Sequence, residues 1–282
     1  MDYESTIIAR GRTADVLVWT PGTVLKLFHT WFPETAVRHE ARMAHAVHAA
    51  GLPAPAAGEV IEHNGRLGLI YERVDGRSMD DEMLAYPWRL PQLTRLLAEL
   101  HARIHAVSSI PELPSQRKRL VSSITTAPGL SETQRQAALE ALAALPDGDR
   151  LCHGDFHFGN VLLTARGPII VDWIDAVIGN PLADVARTVV LANGARALSQ
   201  SHVVRTASAW RARIYTRRVL ALEAGGAQAN RLQQARAEYR AWLPIVAAAR
   251  LDEGIEELAP WLLSQVAAGF RPTSQDHVES GT

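Results

Sequence analysis

The segment that most constrains this chain is His153-Gly154-Asp155-Phe156-His157-Phe158-Gly159-Asn160, followed by an apolar stretch, the Arg166-Gly167 turn and a second apolar stretch ending at Asp172. An Asp, an Asn five residues later and a further Asp at the end of a hairpin carry hard oxygen atoms, and they converge only if loop and hairpin open at one mouth. The pattern predicts strands over residues 160–163 and 168–172. That hairpin is an island among helices. Residues 90–107 and 131–145 repeat apolar side chains at helical spacing, the second run opening with Ser131-Glu132 as an N-terminal cap, and helical patterning resumes at Pro181.

The opening of the chain reads differently. Residues 6–9, 15–19 and 24–28 form a meander of three short strands, linked by Arg10-Gly11-Arg12-Thr13 and by Pro21-Gly22. A helix is expected over residues 33–50, stopped by Gly51 and Pro53. Strands near 58–62 and 67–72 follow, separated by the Asn64-Gly65 hairpin turn. After Val74-Asp75-Gly76 the character changes from strand to helix. The expected class is therefore α+β in two lobes, a small β-rich lobe over residues 1–74 and a larger, mainly helical lobe over 75–282, with a ligand cleft between them.

Composition narrows the function classes. Apolar residues make up 47% and charged residues 21%, which is the balance of an ordered globular protein. A net charge of −1 supplies no field for nucleic acid or an acidic membrane, and no apolar run approaches the ~20 residues of a bilayer span. The acidic start, Met1-Asp2-Tyr3-Glu4, lacks the layout of an export signal, and Cys152 is the single cysteine, so a cytoplasmic protein without internal disulfides is expected. Cys152 itself, beside Leu151, reads as a packed thiol. The basic runs 117–119 and 211–218 read as solvated helix faces. A tail over residues 273–282 is expected to fray. Nothing in the sequence specifies an oligomeric state.

The chemistry follows from residue types. Magnesium prefers one or two carboxylates with phosphates and water, so the amide oxygen of Asn160 and the carboxylate of Asp172 suit it. Asp155 then remains free for other work, and placed beside an acceptor hydroxyl it could accept or orient the proton as oxygen attacks phosphorus. Of the 29 basic residues only Lys26 and Lys118 are lysines, and Lys26 stands in the middle of the apolar strand Val24-Leu25-Lys26-Leu27-Phe28. A charge there is costly unless paired, by a phosphate and a carboxylate, or unless the strand is an edge with the charge in solvent.

These motifs resemble the aminoglycoside phosphotransferase and choline kinase superfamily, relatives of the protein kinases, over nearly the whole chain. The loop carries Gly154 where protein kinases have Arg, which is the form of the small-molecule branch. The resemblance implies a protein-kinase-like fold with residues 1–74 as nucleotide-binding lobe, and transfer of the γ-phosphate of Mg-bound ATP, or GTP, to a small-molecule alcohol. Asp155 would be the catalytic base, Asn160 and Asp172 the Mg2+ ligands, His153 a brace for the loop, and Asp184, after Asn180-Pro181, its anchor. Lys26 would meet the α- and β-phosphates, held by Glu40. Glu34 lies too near the helix start for that role and reads as a favourable first-turn acid. Gly11 and Thr13 would lie in the phosphate-covering turn, although a single glycine departs from a Gly-rich loop. Glu72 and Val74 would flank the hinge that meets the nucleotide base.

The acceptor is less defined. His157, Asp175 and Glu253 are candidates for its side of the cleft, Glu253 as part of an acidic group with Asp252, Glu256 and Glu257 that would suit a polycation. From Arg187 onward, however, 12 Arg stand against 8 acids. Trp210, Tyr215, Tyr239, Trp242 and Trp261 could stack on a sugar, but at helical spacing they read as core. The pair His101/His105 lacks the Glu of a zinc-binding H-E-x-x-H and reads as an ordinary feature of an amphipathic helix. Two alternatives stand beside an aminoglycoside kinase: a kinase for a metabolite such as an amino alcohol, sugar or ketoamine, and a catalytically silent nucleotide-binding relative. A protein kinase is disfavoured, since neither Asp-Phe-Gly nor Ala-Pro-Glu is present.

Overall fold

The computed structural model describes residues 6–108, 110–111, 113–226 and 228–270. The acidic start and the tail expected to fray both lie outside them. Five strands, β1 (Ile7–Arg10), β2 (Ala14–Val18), β3 (Thr23–Phe28), β4 (Ala57–His63) and β5 (Arg66–Glu72), make one antiparallel sheet in the order β1-β2-β3-β5-β4. Lys26 pairs with Val16 on one side and Leu69 on the other, so β3 is an inner strand and the edge-strand alternative for this lysine falls away. The β4–β5 turn uses Asn64 and Gly65 at φ 50° and 72°, the left-handed pair that a two-residue hairpin requires. Helix α1 (Glu34–Ala49) starts after Pro33 and lies against the sheet through Val37 and Ala41, with Glu34 pairing Arg38 one turn on.

A short link, residues 73–76, leads to β6 (Arg77–Ser78) and α2 (Met79–Ala85), then to α3 (Leu90–His105), α4 (Gln116–Thr126) and α5 (Glu132–Ala144). The α5 start is a full capping box between Ser131 and Gln134. The hairpin β8 (Val161–Thr164) and β9 (Gly167–Ile170) joins β6 in a three-stranded sheet, and β7 (Arg150–Cys152) pairs with β10 (Val177–Gly179). Four helices complete the fold: α6 (Pro181–Leu198), α7 (His202–Glu223), α8 (Ala229–Arg250) and α9 (Ala259–Gly269). The architecture is α+β, with an antiparallel sheet first and helices after, as the sequence predicts.

Two details differ from the sequence expectation. Asn160 closes a 3-10 turn rather than opening a strand, and β9 ends at Ile170, because Asp172 sits at φ 64° and cannot continue a strand. The main core also reaches across the link: Met43, Val47 and Ala54 belong to the same buried cluster as Met79, Leu97 and Ile170, and the Ile170 N–H donates to the Pro53 carbonyl at 2.7 Å. Cys152 is fully buried, and burial pushes its thiol pKa well up, as a packed residue requires. Tyr215, Tyr239 and Trp242 are core as expected, whereas Trp210 is exposed. Among the described residues no helix is long and apolar enough to cross a membrane.

Candidate active site

Helix α6 holds the loop at 153–156 from one face. Asp184 accepts the backbone N–H of His153 (2.7 Å) and of Gly154 (3.0 Å). One turn on, Arg187 Nε donates to the Gly154 carbonyl (3.1 Å) and the Thr188 hydroxyl to that of Phe156 (2.8 Å). Residues i, i+3 and i+4 of one helix thus satisfy four backbone groups of the loop. Gly154 has φ +79°, and a Cβ there would stand 2.2 Å from the Asp175 carbonyl oxygen, so the loop accepts no larger residue. His153 is fully buried: its Nδ1 accepts from the Asp155 N–H (3.3 Å), which leaves Nε2–H to donate to the Val171 carbonyl (3.1 Å). Burial lowers its pKa and keeps it neutral. The ring therefore ties the loop to the segment carrying Asp172.

Asp155 emerges partly exposed from this frame. Its Oδ1 lies 3.5 Å from Arg187 and its Oδ2 3.6 Å from His157 Nε2. Burial works to raise its pKa, but His157 and Arg187 outweigh it and hold the carboxyl far below its ordinary range. Asn160 Nδ2 donates to the Asp155 carbonyl (2.9 Å), which fixes the amide and leaves its oxygen as the atom to offer a cation. The Asn160 carbonyl accepts from the Val171 N–H (3.0 Å), so the turn and the chain before Asp172 run side by side. The left-handed backbone of Asp172, rare outside glycine, turns a part-exposed carboxylate toward the small lobe. There it meets Lys26 Nζ at 3.1 Å.

Lys26 also donates to Glu40 Oε1 at 2.7 Å, and the same oxygen accepts from the Tyr71 hydroxyl at 2.9 Å. Burial would lower the lysine pKa, but Glu40 and Asp172 outweigh it and keep it above its ordinary value. Glu40 is 1% exposed and its Oε2 has no hydrogen-bond partner among the described residues. In the β1–β2 turn, the Gly11 N–H is committed to the Ala14 carbonyl (2.8 Å) and the Thr13 carbonyl accepts from His29 (2.9 Å). At the link, Glu72 is bound to Arg166 (2.6 Å) and to Ala56, whereas Val74 has no backbone hydrogen bond among the described residues.

The acceptor-side candidates fare differently. Arg119 binds both the carbonyl and the carboxylate of Asp175. Glu253 pairs with Arg187, and Asp252 accepts from Thr126. The expected acidic group is thus partly neutralised from within. The basic runs are solvated faces in most positions, with Lys118, Arg119, Arg213, Arg217 and Arg218 exposed, but not at Arg117, which binds Asp147 and the Leu142 and Leu145 carbonyls, or at Arg211, which packs over the Phe158 ring at 4.6 Å. His101 and His105 are not a passive stripe. His101 Nε2 reaches Asp184 at 2.9 Å and its Nδ1 meets the Tyr215 hydroxyl, while His105 bridges Asp184 (3.3 Å) and Glu223 (2.8 Å). Sequence reasoning missed Arg187 and Thr188, and read this histidine pair as an ordinary feature of its helix. The available signal was position: Arg187 and Thr188 follow the anchor Asp184 by one helical turn.

A sheet lysine, Lys26, is thus paired with a helix carboxylate, Glu40, and meets Asp172 on the segment that runs beside Asn160. The chain belongs to the phosphotransferase enzyme family, whose profile matches residues 5–242. Among solved structures it is similar to a thermostable mutant of the aminoglycoside phosphotransferase APH(4)-Ia, with 18% identity, 94% of this chain and 93% of that chain covered, and a TM-score of 0.64. The amicoumacin kinase hAmiN, solved with AMP-PNP, Ca2+ and Ami, shares 15% identity over 94% of this chain and 87% of its own, with a TM-score of 0.64. A choline/ethanolamine kinase family protein from Mesorhizobium loti shares 16% identity over 95% and 87%, with a TM-score of 0.58. At these identities the likeness is one of fold. A search of curated protein sequences returned no match.

Proposed function

We propose that this phosphotransferase moves the γ-phosphate of ATP or GTP onto a hydroxyl of a small molecule, with residues 1–74 gripping the nucleotide and residues 75–282 supplying catalysis and the acceptor site. The observation that carries this reading is the Lys26 ammonium held between Glu40 and Asp172, which joins the small-lobe sheet to the segment after β9 that runs beside Asn160. Titrations of ATP and GTP with and without Mg2+ test it. The expected result is Mg-dependent binding that weakens at least about tenfold in Asp172→Asn, which tolerates the left-handed backbone but removes the charge, since the charge-assisted contact is the stronger kind. Equal binding with or without the metal, or an unaffected variant, would sink the assignment of Asp172.

In this mechanism the acceptor hydroxyl donates a hydrogen bond to Asp155. Its oxygen bonds to the γ-phosphorus as the bond from that phosphorus to the bridging oxygen breaks. The nucleoside diphosphate leaves, and the hydroxyl proton passes to Asp155. A carboxylate held at a depressed pKa is a weak base, so Asp155 mainly orients the hydroxyl and takes its proton late, which suits a loose transition state. Asn160 and Asp172 offer the hard oxygens that Mg2+ prefers, and bound there it would neutralise phosphate charge. Lys26 would hold the α- and β-phosphates. With the Gly11 N–H committed, the amides of Arg12 and Thr13 are the ones the β1–β2 turn has left for a phosphate. The unbonded backbone of Val74 suits the edge of a purine. His153 and Asp184 would keep Asp155 in place, and His157 would bound the acceptor side.

A further inference from the structure

A cavity of about 270 Å³ lies beside the loop, between α3, α6 and α7, and reaches Asp155 through His157. Its inner wall is apolar, from Leu191, Ala192, Ala195 and Ala212. Its polar lining is dominated by two guanidinium groups with unmet donors. Arg211 Nε is buried with no hydrogen-bond partner among the described residues; its Nη1 touches the Met83 sulfur at 3.7 Å and Asp80 only at 3.9 Å. Arg250 is nine-tenths buried, with Nε and Nη1 unpartnered. Its Nε lies 3.5 Å from Glu253 Oε2, out of hydrogen-bond alignment, while Oε1 of the same carboxylate pairs with Arg187. The imbalance shows in protonation: burial pushes Arg211 below its ordinary range, and burial with the neighbouring Arg187 lowers Arg250 to about 10. A guanidinium fork with unmet N–H groups matches a carboxylate or phosphate.

Resting on the phosphotransfer reading above, we infer that the acceptor is a small alcohol carrying an oxyanion, a carboxylate or a phosphate ester, which Arg211 and Arg250 bind in this cavity while its hydroxyl faces Asp155. Size agrees: the volume falls just below the ~300–1,000 Å³ typical of ligand pockets and leaves little room for a multi-ring sugar. Charge agrees as well, because a polycation would bring like charge against two incompletely paired guanidiniums. Asp80 and Glu253, the carboxylates nearest these groups, stand at 3.9 and 3.5 Å and form no hydrogen bond with them.

The test gives the full chain matched acceptors that differ only in the oxyanion: glycerol, glyceric acid and glycerol phosphate, and a sugar with its phosphate, beside an aminoglycoside. Nucleotide affinity is measured separately by calorimetry. The inference expects the charged members to be phosphorylated with KM at least ten times lower than their neutral partners, and the acid and phosphate arms show which oxyanion is preferred. Arg211→Met should raise KM for the charged member ten-fold or more, leave the neutral member's KM and the nucleotide Kd in place, and be partly rescued by Arg211→Lys. Turnover of the aminoglycoside or the neutral alcohol in preference to the oxyanion overturns the inference and leaves phosphotransfer standing. A variant that moves both members alike assigns Arg211 to packing and also overturns it. Absence of nucleotide binding instead removes the phosphotransfer reading beneath it.

Discussion

Asp155 depends on its neighbours for its charge. Burial alone would raise its pKa, and His157 with Arg187 holds it far below the usual carboxylate range. Because the pKa is depressed, the carboxylate stays ionised as pH falls through 5, and the acid limb of the rate profile should not come from this group. Arg187→Gln removes a cation that opposes protonation, so the Asp155 pKa rises and the acid side of the kcat/KM profile should shift to higher pH. A profile that superimposes on the wild type contradicts the role given to Arg187. Asp155, Asn160 and Asp172 were legible as a set because they fall within one short loop-and-hairpin stretch whose spacing lets them converge, and because that stretch resembles the family's loop. Arg187 was not legible as their partner, since its meaning depends on which face of α6 meets the loop.

Helix α6 shows the same division at the scale of elements. The sequence marked Pro181 as the point where helices resume, and the family resemblance implied an anchor role for Asp184, but not that α3 and α7 send His101, His105, Tyr215 and Glu223 to the other side of that carboxylate. The i, i+4 histidines looked ordinary because their partners lie 79 to 118 residues away in the chain. Burial disfavours charge on His105, yet Asp184 and Glu223 outweigh it and lift its pKa to about 9, while burial and the cation beside it lower His101 to about 4. His101 is therefore neutral and donates Nε2–H to Asp184. For His105 the folded pKa exceeds the ordinary 6.5, so its stabilisation is complete below that value and is lost as pH rises through about 9. The melting temperature should fall from pH 6.5 to 9.5, and His105→Gln should melt lower at pH 6 and lose most of that slope. Parallel curves would show that the cluster does not carry the imidazolium.

At the scale of the whole molecule, the two regions are joined by more than the 73–76 link. Lys26 meets Asp172, Glu72 meets Arg166, and Met43 and Val47 enter the large core. Strand and helix types were readable from periodicity because each region keeps one pattern over many residues. The polar contacts across the cleft were not, since Lys26 and Asp172 lie 146 positions apart and Glu72 and Arg166 lie 94 apart. They set the spacing between the lysine side and the Asp155 side, on which in-line transfer depends. The most direct test follows transfer of γ-phosphate from the Mg-nucleotide to the best acceptor by wild type and by Asp155→Ala, with nucleotide binding measured on both. The account predicts a loss of about 10² to 10⁴ in turnover with nucleotide affinity nearly unchanged. Equal turnover in the variant would remove Asp155 from the chemistry and contradict the arrangement of the site built around it.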